Sequence, residues 1–181
     1  MKKLSVFFAI LVVLFAFGTA NATLLDGNQI YAEYLDPIAT VIQSYGSLNV
    51  GPGVEIASDF GGYLDVDLSD TNITFKFLKP GYFNGTGFFD GYHFKDTLAT
   101  ISDIASVTIN AATNMLGFTA DRLSFDNENI FVNFQGLTFD RTTIVSLDLN
   151  SASVPEPATM LLLGCGLVGL AGFGRRKLFK K

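Results

Sequence analysis

Short runs of alternating apolar and polar residues fill the chain between residues 24 and 150. Such alternation is typical of strands that bury one face, because successive side chains of a strand point to opposite sides. In residues 64–68, leucine and valine alternate with two aspartates, and residues 73–77 repeat the pattern after a polar turn. The two runs predict a hairpin whose leucine, valine and phenylalanine side chains face the core, while Asp65 and Asp67 face solvent.

A second hairpin and a last strand are predicted farther along the chain. Leu123 and Phe125 lead into a polar turn at residues 126–129, after which apolar residues return with the same phase at positions 130, 132 and 134. Residues 144–149 again carry valine or leucine at every second position. This pattern predicts three further strands that each present one apolar face.

Residues 31–44 allow two interpretations. Their apolar spacing would support a short helix, but Pro37 interrupts the run. Proline opposes the interior of a helix because it lacks a backbone N–H and clashes with the preceding turn. We therefore interpret the segment as two strands around a turn.

The spacing of these segments predicts an all-β body folded as an antiparallel β-sandwich, jelly-roll-like in its connections. Strands that recur every 8 to 12 residues are typical of sandwiches and barrels. The chain has 18 phenylalanines and no tryptophan, which fits a core filled by aromatic rings between two sheets. No internal repeat is found, and this disfavours a solenoid.

The first 22 residues have the pattern of a signal peptide. Lys2 and Lys3 precede an apolar run over residues 4–17, and Ala20-Asn21-Ala22 supplies the small residues that signal peptidase requires. An uncleaved membrane anchor is the alternative, but the run is short for a hydrocarbon core of ~30 Å. We expect cleavage after Ala22, export, and a mature body over residues 23–150.

The last 31 residues divide into three segments. Residues 151–157 contain two prolines and predict an extended linker. Residues 158–174 are almost entirely apolar and predict a single transmembrane helix, although the apolar run over residues 158–173 gives only about 24 Å of helix, a short span. Residues 175–181 are basic and should stay in the cytoplasm, which leaves the body outside the inner membrane. The glycines of the apolar segment could serve helix pairing or cleavage.

Charge and cysteine content narrow the function classes. The body carries five basic and sixteen acidic residues, so its net charge is −11, although that of the whole chain is −5. A protein this acidic is excluded as a nucleic-acid partner, because phosphate binding requires a basic face. The single cysteine, Cys165, lies in the apolar segment, so the body has no disulfide to stabilise it.

The C-terminal residues carry a resemblance to a known family. Val154-Pro155-Glu156-Pro157, a glycine-rich apolar stretch and the membrane-stop residues Arg175-Arg176-Lys177 together resemble the PEP-CTERM sorting signal. Cys165 departs from the apolar residue more usual there. The same tail is also labelled an ice-binding protein C-terminal domain. That label refers to the sorting signal and does not identify ice as a ligand. Several segments of the body are also similar to small PEP-CTERM proteins of unassigned function.

This resemblance implies a partner and a destination. The partner is an exosortase-type membrane transpeptidase, which would cut near the motif. The protein would be held in the inner membrane by its tail before processing, then appear at the cell surface or in the extracellular matrix. The transpeptidase would supply the chemistry, and this chain would be its substrate.

Few residues of the body suggest chemistry. His93 is the only histidine and is interpreted as a single exposed strand or loop residue, which leaves neither a catalytic triad nor a zinc site. Asp126, Asn127 and Glu128 are weak calcium candidates, because their oxygens are hard ligands, and no other cofactor is expected. A second weak candidate set comprises Asp65, Asp67 and Asp70.

An aromatic, glycine-rich string over residues 82–92 could form a ligand surface through Tyr82, Phe89 and Tyr92. The alternative is a hairpin whose aromatic face belongs to the core.

Three functions follow from these observations. The first is a non-enzymatic surface or matrix protein sorted through its tail. The second is a carbohydrate-binding module that attaches to exopolysaccharide through the aromatic string. The third, a polysaccharide hydrolase that uses two carboxylates, has only turn and strand-surface acids to support it.

Overall fold

Two antiparallel sheets of five strands each form the body of the protein in the computed structural model, which describes residues 24–101, 103–151, 164, 166 and 167. In chain order the strands are β1 (Gln29–Leu35), β2 (Val41–Asn49), β3 (Ile56–Ser58), β4 (Leu64–Ser69), β5 (Asn72–Phe77), β6 (Gly81–Tyr82), β7 (Gly91–Lys95), β8 (Ile104–Ile109), β9 (Leu123–Phe125), β10 (Asn129–Asn133), β11 (Thr138–Phe139) and β12 (Ile144–Ser151). A helical turn, α1 (Asp59–Gly62), precedes β4, and a 3₁₀ helix covers Ala120–Arg122.

The first sheet has the order β2-β1-β7-β10-β9, and the second has the order β3-β4-β5-β12-β8. Strands β6 and β11 form a separate two-stranded ladder. The antiparallel β-sandwich predicted from the alternation is therefore confirmed. The predicted jelly-roll-like connections are not found among the described strands. A jelly roll consists of two Greek keys, whereas here local hairpins and a meander (β3-β4-β5) alternate with connections that cross from one sheet to the other.

Aromatic rings fill the space between the sheets. The ring of Phe75 on β5 lies with its centroid 5.2 Å from that of Tyr92 and 6.1 Å from that of Phe94, both on β7 of the facing sheet. Phe134, just after β10, lies 5.1 Å from the same ring. Each buried phenylalanine contributes roughly 1.5–3 kcal/mol through removal of apolar surface from water. These contacts hold the two sheets together without a disulfide among the described residues.

Both predicted hairpins are present. Strands β4 and β5 pair from Leu64 with Phe77 to Ser69 with Asn72, and β9 pairs with β10 across the turn at residues 126–128. The two strands predicted around Pro37 are β1 and β2. One face assignment is wrong: Phe125 is exposed, and it ends a three-residue strand, β9, at the edge of the first sheet.

Most of the C-terminal tail lies outside the described residues. The predicted linker and transmembrane helix are represented only by Ser151, the last residue of β12, and by Gly164, Gly166 and Leu167, which have helical backbone. In the part of the chain that the structure describes, no helix combines the length and apolar character needed to cross a membrane. The predicted signal peptide, residues 1–22, also lies outside it.

Candidate functional site

A groove of about 970 Å³ opens at the end of the sandwich where β1 ends and β4 and β7 begin. Its volume is in the range of ligand pockets in proteins. Six aromatic side chains line it, from both sheets and from the β6–β11 ladder: Tyr34, Phe60, Tyr63, Tyr82, Phe83 and Phe139. Asp36, Asn84, Asp90 and Thr138 add polar groups to the same lining. The groove is therefore an aromatic cleft with acidic side chains.

The turn α1 carries Phe60 to the rim of the groove. Phe60 has a φ of 50°, in the left-handed region that non-glycine residues rarely adopt, and its N–H donates to the Asp59 carboxylate at 2.9 Å. Gly61, which follows Phe60, accepts a hydrogen bond at its carbonyl from Lys79 Nζ at 2.7 Å. The Lys79 ammonium also lies 5.1 Å from the centre of the Tyr63 ring. The surrounding contacts therefore hold a strained backbone in place.

A buried tyrosine–carboxylate network lies behind the groove. The other oxygen of Asp59 accepts hydrogen bonds from the hydroxyls of Tyr45, at 2.5 Å, and of Tyr92. Burial raises the pKa of both tyrosines well above the usual value, so their hydroxyls remain protonated donors at any physiological pH. Since each Asp59 oxygen accepts a bond from the protein, this carboxylate serves the structure of the α1 turn.

Asp90 has a similar role at the floor of the groove. Its oxygens accept hydrogen bonds from the Tyr34 hydroxyl and from the Asn84 backbone N–H, the latter at 2.5 Å. Burial raises the pKa of the Asp90 carboxyl, and the two hydrogen bonds partly offset that increase. Asp36, nearby, differs: its Oδ1 is buried and accepts no hydrogen bond from any of the described residues.

The three residues predicted as a ligand surface lie in different places. Tyr82 is 79% exposed at the rim of the groove. Phe89 is half-buried and packs with its ring centroid 6.3 Å from that of Phe131, outside the groove lining. Tyr92 is fully buried between the sheets, so its assignment to a surface is wrong. The alternation of β7 explains this, because Tyr92 and Phe94 point inward while His93 points outward.

His93 is also corrected, since it is not a free exposed histidine. Its Nδ1 lies 2.8 Å from the Glu33 carboxylate and its Nε2 lies 3.0 Å from Asn129 Oδ1. Its ring stacks on Phe131 at 4.1 Å between centroids. Both ring nitrogens are thus used by neighbouring strands, which indicates a structural role on the outer face of the first sheet.

The acidic turn proposed for calcium is built from internal hydrogen bonds. Asp126 accepts from the backbone N–H groups of Glu128, at 2.9 Å, and Asn129, at 2.8 Å. These bonds, together with the Asn129 side-chain amide, lower the pKa of the Asp126 carboxyl. Within the described ranges no cluster of three or more histidine, cysteine, aspartate or glutamate side chains has the arrangement of a metal site. The calcium site at Asp126, Asn127 and Glu128 stays a prediction.

Two of the three acids in the second calcium candidate set accept hydrogen bonds from backbone N–H groups. Asp70 Oδ1 accepts from the Leu24 backbone N–H at 2.5 Å, and Asp65 Oδ1 accepts from that of Ser58 at 2.7 Å. Asp65 and Asp67 are partly exposed on β4, on the face opposite to the core. The Asp70 and Asp65 carboxylates therefore stabilise backbone N–H groups at a chain end and at a strand end.

Both ends of the described body meet at the pole opposite to the groove. Leu25 donates its N–H to the Asp70 carbonyl at 3.1 Å, and Leu149, near the end of β12, donates to the carbonyl of the next residue, Thr71, at 2.8 Å. The other end of β12, Ile144, pairs with Lys76 beside the groove pole. Seven residue steps of a strand span about 24 Å, so Ser151 lies about that far from the groove end. Ser151 therefore lies at the end of the body away from the groove.

The segment of sequence after Ser151 is identified by comparison with known families. A family model described as the PEP-CTERM protein-sorting motif matches residues 153–177, which include Val154, Pro155, Glu156, Pro157, Arg175, Arg176 and Lys177. The chain is thus a β-sandwich protein with a PEP-CTERM sorting motif, as its C-terminal residues predicted. The motif implies export and handling at the membrane by an exosortase-type sorting system. No significant match to the chain is found among curated proteins or solved structures.

Proposed function

We propose that this protein is a non-enzymatic component of the cell surface or extracellular matrix, exported by a signal peptide and processed by an exosortase-type transpeptidase. The observation that carries the proposal is the PEP-CTERM match over residues 153–177, which begins two residues after the last strand, β12. The sorting segment therefore directly follows a complete β-sandwich, an arrangement suited to a domain that is delivered as cargo.

The N-terminal end supports the same route. Cleavage after Ala22 would leave one residue ahead of Leu24, which is buried and hydrogen-bonded to Asp70. The mature chain would thus begin one residue before the described body begins. Its net charge of −11 favours solubility outside the cell.

The mass and C-terminus of the mature protein, measured in cells that contain the sorting system, test this proposal. We expect a mature C-terminus near Pro157 and loss of residues 175–181. In the variant Glu156→Ala the tail should remain intact through Lys181 and the protein should accumulate in the inner membrane. Glu128→Ala, which changes an exposed glutamate of the body, is the matched control and should be processed normally. A wild-type protein that retains Lys181 would overturn the proposal.

A second function, carbohydrate binding, is favoured by one specific observation, the exposed aromatic rings of the groove.

A further inference from the structure

Exposed aromatic rings are concentrated at the groove. Tyr82 is 79% exposed, Phe60 41% and Tyr63 39%, and all three belong to its lining. Burial of such rings against the core would be favourable, so their exposure in a concave surface calls for a ligand. The flat faces of tyrosine and phenylalanine are electron-rich and attract the electropositive C–H groups of a sugar ring.

The rings are held in position before any ligand arrives. Phe60 packs edge-to-face on Tyr34 with 4.7 Å between ring centroids, and Tyr34 in turn donates to buried Asp90. The left-handed φ of Phe60 is maintained by the contacts of Asp59 described above. A rigid platform of this kind loses little conformational entropy when it binds.

The polar side of the groove needs hydrogen-bond donors. Asp36, a partly exposed residue, lines its wall, and the buried Oδ1 of its carboxylate receives no hydrogen bond from the described residues. Since the described residues supply no donor to Oδ1, the carboxylate keeps its capacity to accept a hydrogen bond, and a ligand hydroxyl in the groove would donate to the other oxygen, Oδ2. Asp90, at the floor, adds a second acidic group.

Charge restricts the ligand further. Asp36 and Asp90 repel anions, and the ammonium of Lys79 already donates to Gly61 and lies over the Tyr63 ring. An acidic polysaccharide or a phosphate-bearing chain would therefore be rejected, whereas a neutral molecule rich in hydroxyls is accommodated.

A second concave space borders the same strand, β11. A smaller pocket of about 340 Å³ shares Thr138 and Phe139 with it and is lined by polar side chains that include Asn114, Thr142 and Thr143. Because β11 lines both spaces, an extended chain bound in the groove would also meet the polar side chains of the second space.

We propose that the groove binds a neutral glycan chain, with sugar rings stacked on Tyr82 and Phe60 and sugar hydroxyls donating to the Asp36 carboxylate. The groove lies at the pole opposite to Ser151, the last described residue of the body. Glycan binding does not depend on how the tail is processed, so the two proposals can fail separately.

The test is affinity electrophoresis of the full-length chain in gels that contain a neutral β-glucan, a neutral galactomannan or anionic alginate. An amine-oxide detergent should be used, because sugar-headed detergents would compete for the groove. We expect at least one neutral polysaccharide to retard the protein and alginate not to do so. The variant Tyr82→Ala should weaken binding by about fivefold to tenfold, the equivalent of one aromatic stacking contact.

Phe125→Ala, which removes an exposed ring on β9 outside the groove, is the matched control and should bind as the wild type does. Asp36→Asn should also weaken binding, because it replaces a charged acceptor with a neutral one. Thermal unfolding of each variant confirms that it is folded. Absence of retardation by both neutral polysaccharides, equal retardation by alginate, or equal effects of Tyr82→Ala and Phe125→Ala would overturn the proposal. New reducing ends in the polysaccharide would overturn it in favour of hydrolysis.

Discussion

At the scale of single residues, the burial of Asp59 depends on two tyrosine hydroxyls. Its Oδ2 accepts from Tyr45 and Tyr92, and its Oδ1 accepts from the N–H of Phe60. A buried carboxylate is tolerated only when its oxygens are hydrogen-bonded, because it has lost its hydration. The three bonds thus connect the centre of the core to the rim of the groove.

Tyr92→Phe tests this network. The change removes one donor and leaves Asp59 partly unsatisfied, so we expect a loss of about 1–3 kcal/mol in the free energy of unfolding. Tyr31→Phe is the matched control, since its hydroxyl meets Ser44 Oγ at 2.7 Å in an exposed position and should cost much less. Urea unfolding measures both, and equal losses would contradict the role of Asp59.

Residue roles were the part least predictable from sequence. The aromatic string around Tyr82 indicated a ligand surface, but only Tyr82 of the three named residues lines the groove. Asp36, Phe60 and Tyr63 were missed, because they come from two connecting segments separated in sequence, β1–β2 and β3–β4, and carry no local motif. The left-handed backbone of Phe60 has no sequence signal either, since a phenylalanine there is unusual.

At the scale of elements, the alternating pattern predicted the hairpins correctly because strand periodicity is local. Irregularities in a strand were not predictable. In the β1–β2 ladder, Ala32 pairs with Gly46 but the next residue, Glu33, pairs with Ser44, so Tyr45 is an extra residue on β2. Such a bulge redirects a side chain, and here it accompanies the bond from the Tyr45 hydroxyl to Asp59.

Gly46→Ala tests the importance of this bulge. Gly46 has a φ of 74°, so an added Cβ would strain the backbone even though no other atom lies within 4 Å of it. We expect a loss of about 1–2 kcal/mol in the free energy of unfolding. Gly51→Ala, where the space is equally open and the φ is ordinary, is the matched control and should leave stability unchanged or slightly increased. Equal destabilisation by both changes would argue against a strained bulge.

At the scale of the whole molecule, the described core is contained in one stretch of chain. Its buried apolar residues extend from Leu24 to Leu149, and both ends of this stretch lie at the Asp70–Thr71 turn. The sorting motif begins at residue 153, after Leu149 in the sequence. Folding of the body and sorting by the tail should therefore be separable.

Truncated chains test whether the body folds without the C-terminal tail. A chain of residues 23–151 should unfold cooperatively with the same free energy, within about 0.5 kcal/mol, as a chain of residues 23–157. A chain that ends at Ser146 should fail to fold, because it lacks Leu147 and Leu149, both of which are almost fully buried. Circular dichroism and urea unfolding give the comparison. A stability that depends on residues 152–157 would show that the linker packs on the body.

The sequence by itself determined the all-β class, the main hairpins and the sorting motif. Each of these is written in neighbouring residues, as a period of two or as a contiguous string, and so needs no knowledge of distant contacts. Tertiary structure alone decided the strand order, the burial of Tyr92, the partners of His93 and the assembly of the groove. Those features depend on side chains that are far apart in sequence and meet only when the two sheets pack. For this reason the sequence predicted the sorting of this protein but not its candidate binding site.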